Sequence, residues 1–286
     1  MRPAPGKTGY KTDLPVMHAV RMPAAERSAF RLKLWHILPI LLFCIFSSSL
    51  GFAATTPGQL SAFDTLLRWM PLLLKGFGFN LLISVMAMSF GTVVGVALGL
   101  GQLSLSKSLS RFSWFITQFF RNSPWLVLLF FSMFLLPFEF NVAGVIIPLP
   151  DWLKATFGLS LPVMANVSEI VRGAVKSLPS GQWEAAESLA YTRRQTLWLI
   201  ILPQCVKRML PPWMNLYSIL TMATVLASIV GVSEVMTLTG RVLSSEGGRT
   251  ELLAPFYGFV LLLFFIYCYP IARWTVRLEK KFAVIN

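Results

Sequence analysis

The chain has 286 residues, of which 55% are hydrophobic and only 13% charged, with a formal net charge of +13. Soluble domains carry about 25% charged residues, so this composition excludes an ordinary water-soluble globular protein. Three cysteines (Cys44, Cys205, Cys268) and two histidines (His18, His36) exclude a disulfide framework and a histidine-rich metal site.

Residues 1–33 form a polar, basic, proline-containing tail. Its Gly6-Lys7-Thr8 matches only the end of a phosphate-binding loop, and no strand precedes it, so the match is fortuitous. Beyond the tail, the sequence predicts spans at 34–54, 76–102, 112–137, 156–176, 212–238 and 255–276. Each has about the length that crosses a hydrocarbon core. The expected fold is all-α, a polytopic membrane bundle of about six transmembrane helices.

Charge then orients the chain. If the tail lies in the cytoplasm, alternating loops place 20 of the 25 Lys and Arg residues inside. Only Arg68, Lys75, Lys154, Arg241 and Arg249 fall outside. That bias follows the positive-inside rule and puts both termini in the cytoplasm, including a C-terminal tail at 277–286. The basic residues are topology signals, with no aromatic-interleaved face for nucleic acid.

The segment 34–54 ends in Gly51-Phe52-Ala53-Ala54, which resembles a signal-peptide cleavage site. The long tail before it and its full spanning length favour an uncleaved extra N-terminal helix. In the next span, Gly91, Gly95 and Gly99 recur every four residues, a small-residue stripe that lets another helix approach closely. The loop 138–158 is proline-rich (Pro148, Pro150) and apolar enough to re-enter the membrane or lie along the interface. The span 156–176 is the most polar, with Asn166, Ser168, Glu169 and Arg172. Ionisable groups at membrane depth face a partner or an aqueous cavity. Glu169 and Arg172, three apart on one helix face, can pair locally or serve a pathway.

The longest cytoplasmic loop, 177–211, reads as a helix–turn–helix. Pro179 and Gly181 break the preceding helix, Trp183, Ala186, Leu189 and Ala190 recur at helical spacing, and Pro211-Pro212 closes the loop. A second helix starts at Thr192, with Thr192 and Gln195 forming a T-x-x-Q capping box. Two short helices outside the membrane need their apolar faces covered, either by a docked cytoplasmic protein or by the membrane interface.

Glu184-Ala185-Ala186 followed by Ile200-Ile201-Leu202-Pro203 resembles the EAA loop of ATP-binding-cassette (ABC) importer permeases. Within that class the chain resembles the polar amino-acid uptake family. The matching runs are Phe120-Arg121-Asn122-Ser123-Pro124, Ser168-Glu169-Ile170-Val171-Arg172-Gly173, Leu178 to Ala186, Leu202-Pro203-Gln204, Leu210 to Asn215 and Ser228 to Glu234. The resemblance covers roughly residues 76–240. It implies a type I importer-like fold, with a permease domain at 76–276 made of five core helices, and the segment 34–54 as an addition.

It further implies a second permease subunit (the same chain or a sister), cytoplasmic ATPase subunits that bind the ATP and Mg, and an extracytoplasmic amino-acid-binding protein. The permease itself would bind no cofactor and perform no chemistry, and would sit in membrane lipid of the bacterial inner membrane. The ATPase-docking residues are then Gly181, Glu184, Ala185, Ala186, Ala190, Arg193 and Pro203. Translocation candidates are Asn122, Ser123, Asn166, Glu169, Thr224 and Ser228.

Two departures stand out. Ala190 occupies a turn position where relatives carry glycine, and Met222-Ala223-Thr224-Val225-Leu226 replaces a charged KDTSL-like run. The rival reading is an ion-gradient-driven amino-acid carrier, which often shows internal repeats and midplane carboxylates. No clear repeat is visible, and a carrier would not need the EAA loop.

Overall fold

The computed structural model describes residues 60–142 and 145–282. The tail, the segment 34–54 and the last four residues lie outside the described residues.

Helix α1 (Ala62–Gln102) starts where the Ser61 hydroxyl accepts from the Asp64 amide at 3.2 Å. It runs 41 residues, about 60 Å at 1.5 Å per residue and twice the thickness of a hydrocarbon core. Its start precedes the expected 76 because Arg68 and Lys75 read as loop residues, yet both, with Pro71 between them, lie inside the helix.

The expected span 112–137 is two helices, α2 (Lys107–Arg121) and α3 (Trp125–Leu135). The FRNSP run is the break. Pro124 disfavours helical geometry at Ser123. Ser123 Oγ then donates to the Phe119 carbonyl that the break sets free, and Asn122 Nδ2 joins its own amide on the Gln118 carbonyl, each side chain at 2.7 Å.

Where the sequence suggested a re-entrant or interfacial loop, strands β1 (Glu139–Val142) and β2 (Val145–Pro148) pair antiparallel as a hairpin. Helix α4 (Asp151–Lys176) follows, with Asp151 in its positively polarised first turn. Lys154, fully buried, sits 3.4 Å from Asp151 Oδ1 and 3.6 Å from the Phe138 ring centroid, which ties the hairpin's base to α4.

Helix α5 (Gly181–Ser188) and the single turn α6 (Arg193–Gln195) form the expected helix–turn–helix. The second arm does not stop at Pro211-Pro212 as expected. It passes through a π-helical stretch, Thr196–Ile201, into α7 (Leu202–Ala223), with both prolines in the helix interior. Each proline removes one backbone donor, a loss that packed membrane helices tolerate. The expected span 212–238 also breaks. After α7 come a 3₁₀ turn (Thr224–Ser228), Gly231 at φ +88°, and α8 (Val235–Ser245). A further 3₁₀ turn (Thr250–Leu252) leads into α9 (Leu253–Phe282).

Among the described residues, two stretches are long and apolar enough to cross a membrane alone, Ala62–Gln102 and Thr250–Phe282, with mean hydropathy 2.2 and 2.1. Helix α4 has the length, but Glu169 and Arg172 lower its hydropathy. The architecture is all-α apart from the hairpin.

Helices α1 and α4 form the centre of the bundle and run parallel. A Cβ on Gly91 would lie 2.6 Å from Val163 Cγ1. One on Gly95 would lie 2.6 Å from the Met164 carbonyl oxygen, and one on Gly99 2.7 Å from Val171 Cβ. The small-residue stripe therefore does what its spacing implies: each missing side chain admits a valine. Ile83, Ala87, Leu129, Leu159, Leu216 and Leu220 extend this core to α3 and α7.

Candidate coupling surface and polar sites of the bundle

Helix α5 is bolted at its base. Ala186 is 2% exposed, and Trp183 packs on a buried cluster of Ala174, Val175, Leu178, Ile201 and Cys205 drawn from α4, the π turn and α7. Arg208 Nη1 donates to the Ser177 carbonyl and hydroxyl, each at 3.0 Å, closing α7 onto the end of α4. The turn after α5 is a Schellman motif. The Tyr191 amide donates to the Ala186 carbonyl (3.1 Å) and the Ala190 amide to that of Glu187 (2.9 Å).

That motif needs left-handed geometry, and Ala190 adopts it at φ +59°. Two residues on, Thr192 and Gln195 form the expected capping box, with the Thr192 amide donating to Gln195 Oε1 at 2.9 Å. Ala190→Gly is therefore expected to raise stability by about 1 kcal/mol, since alanine bears a steric cost here that glycine does not. A thermal melt of the detergent-purified chain reads this; an unchanged or lower midpoint would mean the turn is not strained.

The outer face of α5 is left uncovered by the described residues. Glu184, Ala185 and Gly181 are exposed, and Leu189 is 72% exposed. Among the described residues nothing lies within 4 Å of where a Gly181 Cβ would be. Arg193 lays its guanidinium 5.5 Å from the Trp183 ring centroid, and Pro203 sits exposed in the first turn of α7. All seven loop residues thus cluster at one end of the bundle.

The second site is a carboxylate that joins three helices. Glu169 on α4 pairs with Arg172, whose Nη2 lies 2.5 Å from Oε2, the local pair its spacing suggested. Arg121 of α2 approaches Oε2 at 3.6 Å, and Gln102 of α1 and Gln118 of α2 each reach Oε1 at 3.4 Å. Behind them Gln102 Nε2 donates to Ser168 Oγ (2.8 Å) and Thr117 Oγ1 (3.1 Å), all buried. In a low-dielectric bundle such satisfied networks rigidify the helices they join. Glu169 and Asn166 also line a cavity of about 490 Å³ with Arg121 and Arg208. The cavity is therefore lined by one carboxylate, one amide and two guanidinium groups.

The other translocation candidates lie elsewhere. Asn122 and Ser123 are occupied capping α2, and it is their neighbour Arg121 that lines the cavity. Thr224 is fully buried and accepts from Asn80 Nδ2 at 3.0 Å, while Ser228 donates to the Val225 carbonyl. The same Asn80 donates to Glu234 Oε2 at 2.9 Å and accepts from the Val235 amide at 3.1 Å. Glu234, fully buried, also receives the Met236 and Thr237 amides and so caps α8. Thr224 thus belongs to a closed structural knot joining α1, the 3₁₀ turn and α8. The sequence reading passed over Asn80 and Gln102; the available signal was a lone amide inside an otherwise apolar span. Among the described residues no group of three or more His, Cys, Asp or Glu could hold a metal ion.

Several known proteins are similar to this chain. The chain is 34% identical over 216 residues to the probable amino-acid ABC transporter permease protein YckA of Bacillus subtilis, covering 74% of this chain and 90% of that one. It is 30% identical over 208 residues to the probable glutamine ABC transporter permease protein GlnM of the same organism, covering 73% and 92%. The fold superposes on a crystal structure of an amino acid ABC transporter with histidines at a TM-score of 0.66 and 20% identity, covering 78% of this chain and 99% of that one. Residues 91–282, which hold the Glu169 site, Thr224 and Glu234 of the knot and the whole of α5, match one family along their length. The chain is an integral membrane protein that belongs to the binding-protein-dependent transport system inner membrane component family.

Proposed function

We propose that this chain is the permease subunit of an ABC importer that moves a polar amino acid, or a closely related small zwitterion, into the cytoplasm. The reading is supported by relatives whose names carry amino-acid transport. The observation that carries it is α5, a short helix fixed at its base and bare on its outer face. A helix held that firmly by its own chain, with an exposed carboxylate and an open glycine, suits a groove on another protein.

In this reading the end of the bundle bearing Lys107, Lys176, Arg194 and Lys207 faces the cytoplasm, as do both termini. A pair of ATPase subunits holds the ATP and Mg and grips α5 of this chain and of a second permease subunit. Glu184, whose carboxylate makes no hydrogen bond among the described residues, forms the charge-assisted anchor. Because Trp183 and Ala186 key α5 into α4 and α7, a push on α5 moves those helices as a block. An amino acid delivered by an external binding protein then leaves past Asn166, Glu169 and Arg121. The cavity's mixed charge suits a zwitterion, whose ammonium meets the Glu169 carboxylate and whose carboxylate meets an arginine.

The test is reconstitution of the chain with its ATPase, a sister permease where required and the binding protein, with ATP hydrolysis measured with and without amino acids. Amino-acid-stimulated hydrolysis is expected, and Glu184→Lys should lower it at least tenfold while the thermal midpoint of the permease stays unchanged. Uptake that follows an imposed ion gradient, with no ATPase co-purifying, would instead assign a secondary carrier.

A further inference from the structure

A groove of about 610 Å³ runs along the bundle beside the coupling elements. Its long wall is one face of α1: Val94, Ala97, Leu98 and Gly101 fall at i, i+3, i+4 and i+7. Leu109 and Phe112 of α2 form the opposite wall. The α1 face extends about 10 Å, and neither wall carries a charge. Packed interiors hold few voids larger than a water molecule, so among the described residues a trough of this size is a surface feature open to an occupant.

One end of the groove is strongly basic. Arg193 and Arg194 line it there, beside the turn at Leu103 to Leu105 where α1 ends. Neither guanidinium has an acidic partner among the described residues. The Arg193 guanidinium lies 5.5 Å from the Trp183 ring centroid, which holds it at this end of the groove. The two cations thus mark the depth at which the chain passes from apolar helix to polar loop.

We infer that this groove binds an anionic phospholipid, with its phosphate on Arg194 and Arg193 and an acyl chain along the Val94–Gly101 face. The argument is charge and shape together. A zwitterionic lipid would bring its own cation against two arginines, and a free phosphate would leave the apolar trough empty. Basic pockets at the ends of membrane helices select anionic headgroups for the same reason. A lipid seated there would touch α1, α2 and the start of the coupling arm at once, and so would brace α6 from the membrane side. The inference needs the membrane setting of the family but not the amino-acid reading.

Native mass spectrometry of the detergent-purified full chain tests it directly. Dioleoyl phosphatidylglycerol is titrated against dioleoyl phosphatidylcholine, and about fivefold tighter retention of the anionic lipid is expected. Arg194→Gln should weaken that retention about fivefold, the attraction of one basic side chain to an anionic surface. Ala97→Trp fills the trough and should abolish it, whereas Val93→Trp, on the exposed side of the same helix, should not. Lys281→Gln, at the far end of α9, should leave it unchanged. Equal retention of the two lipids, an equal loss in Lys281→Gln, or displacement of the anionic lipid by inorganic phosphate at the same concentration would each overturn the site.

Discussion

Gly95→Leu is expected to prevent stable folding of the membrane bundle. A Cβ alone would sit 2.6 Å from the Met164 carbonyl oxygen and 2.7 Å from Val167 Cβ, and leucine adds three more carbons. The obstacle is backbone, so no rotamer change relieves it; α1 and α4 must part. Overpacking of a dense core costs about 1–3 kcal/mol and more when backbone must move. Separation here would also loosen the Gly91 and Gly99 contacts on either side. Against a total stability of about 5–15 kcal/mol, that loss is enough to deplete folded protein. The yield of monodisperse protein and its thermal midpoint measure it. Gly78→Ala is the control, because nothing lies within 4 Å of its would-be Cβ and alanine gains about 0.5–1 kcal/mol over glycine in a helix. If Gly95→Leu melts like the parent chain, the two helices do not meet through this stripe.

Glu169→Ala comes next in size, with a different signature. The carboxylate is 13% exposed and answers to Arg172, Arg121, Gln102 and Gln118. Removing it strands Arg172 beside Arg121 with no counter-charge. Breaking a buried pair from one side costs about 3–5 kcal/mol. Arg172 and Arg121 are 29% and 46% exposed, so water recovers part of that and a loss of about 2 kcal/mol is expected. The double variant Glu169→Ala/Arg172→Ala should recover part of the loss, because the stranded charge is gone. Uptake should fall more than tenfold in Glu169→Ala and return in part with Glu169→Asp. A single variant as stable as the parent would make the cluster a lining of the cavity and not a clamp.

Much of this molecule is legible in its sequence, and the reasons are local. The glycine stripe, the Glu169–Arg172 pair and the Thr192–Gln195 box each depend on residues a fixed few positions apart, where helix geometry decides who meets whom. Ala190 stands out through the resemblance, because relatives carry glycine at a turn that demands left-handed geometry. The distant partners were not readable. Asn80 finds Thr224 and Glu234 some 144 and 154 residues away, and no spacing rule connects them. That is also why Thr224 reads as a pathway residue when it is a strut of the Glu234 knot. Helix ends are less legible, because a proline can end a helix or lie within one. Pro71 in α1, and Pro211 and Pro212 in α7, lie inside continuous helices, whereas Pro124 does mark a break. The difference is company: Asn122 and Ser123 supply the capping groups that a break requires.

The Gly91–Gly95–Gly99 stripe has one more property. Helix α4 carries four valines at the same four-residue interval, Val163, Val167, Val171 and Val175, one more than there are glycines to receive them. A slide of α4 along α1 by one interval, about 6 Å, would therefore seat every glycine on a valine again. The interlock is periodic and by itself degenerate in register. What distinguishes the observed setting lies at the end of the stripe. Gln102 meets Ser168, and Val175 is claimed by the cluster beneath α5. Two oily helices that could mate in either of two notches are thus held in one of them by an amide at the end of the ruler.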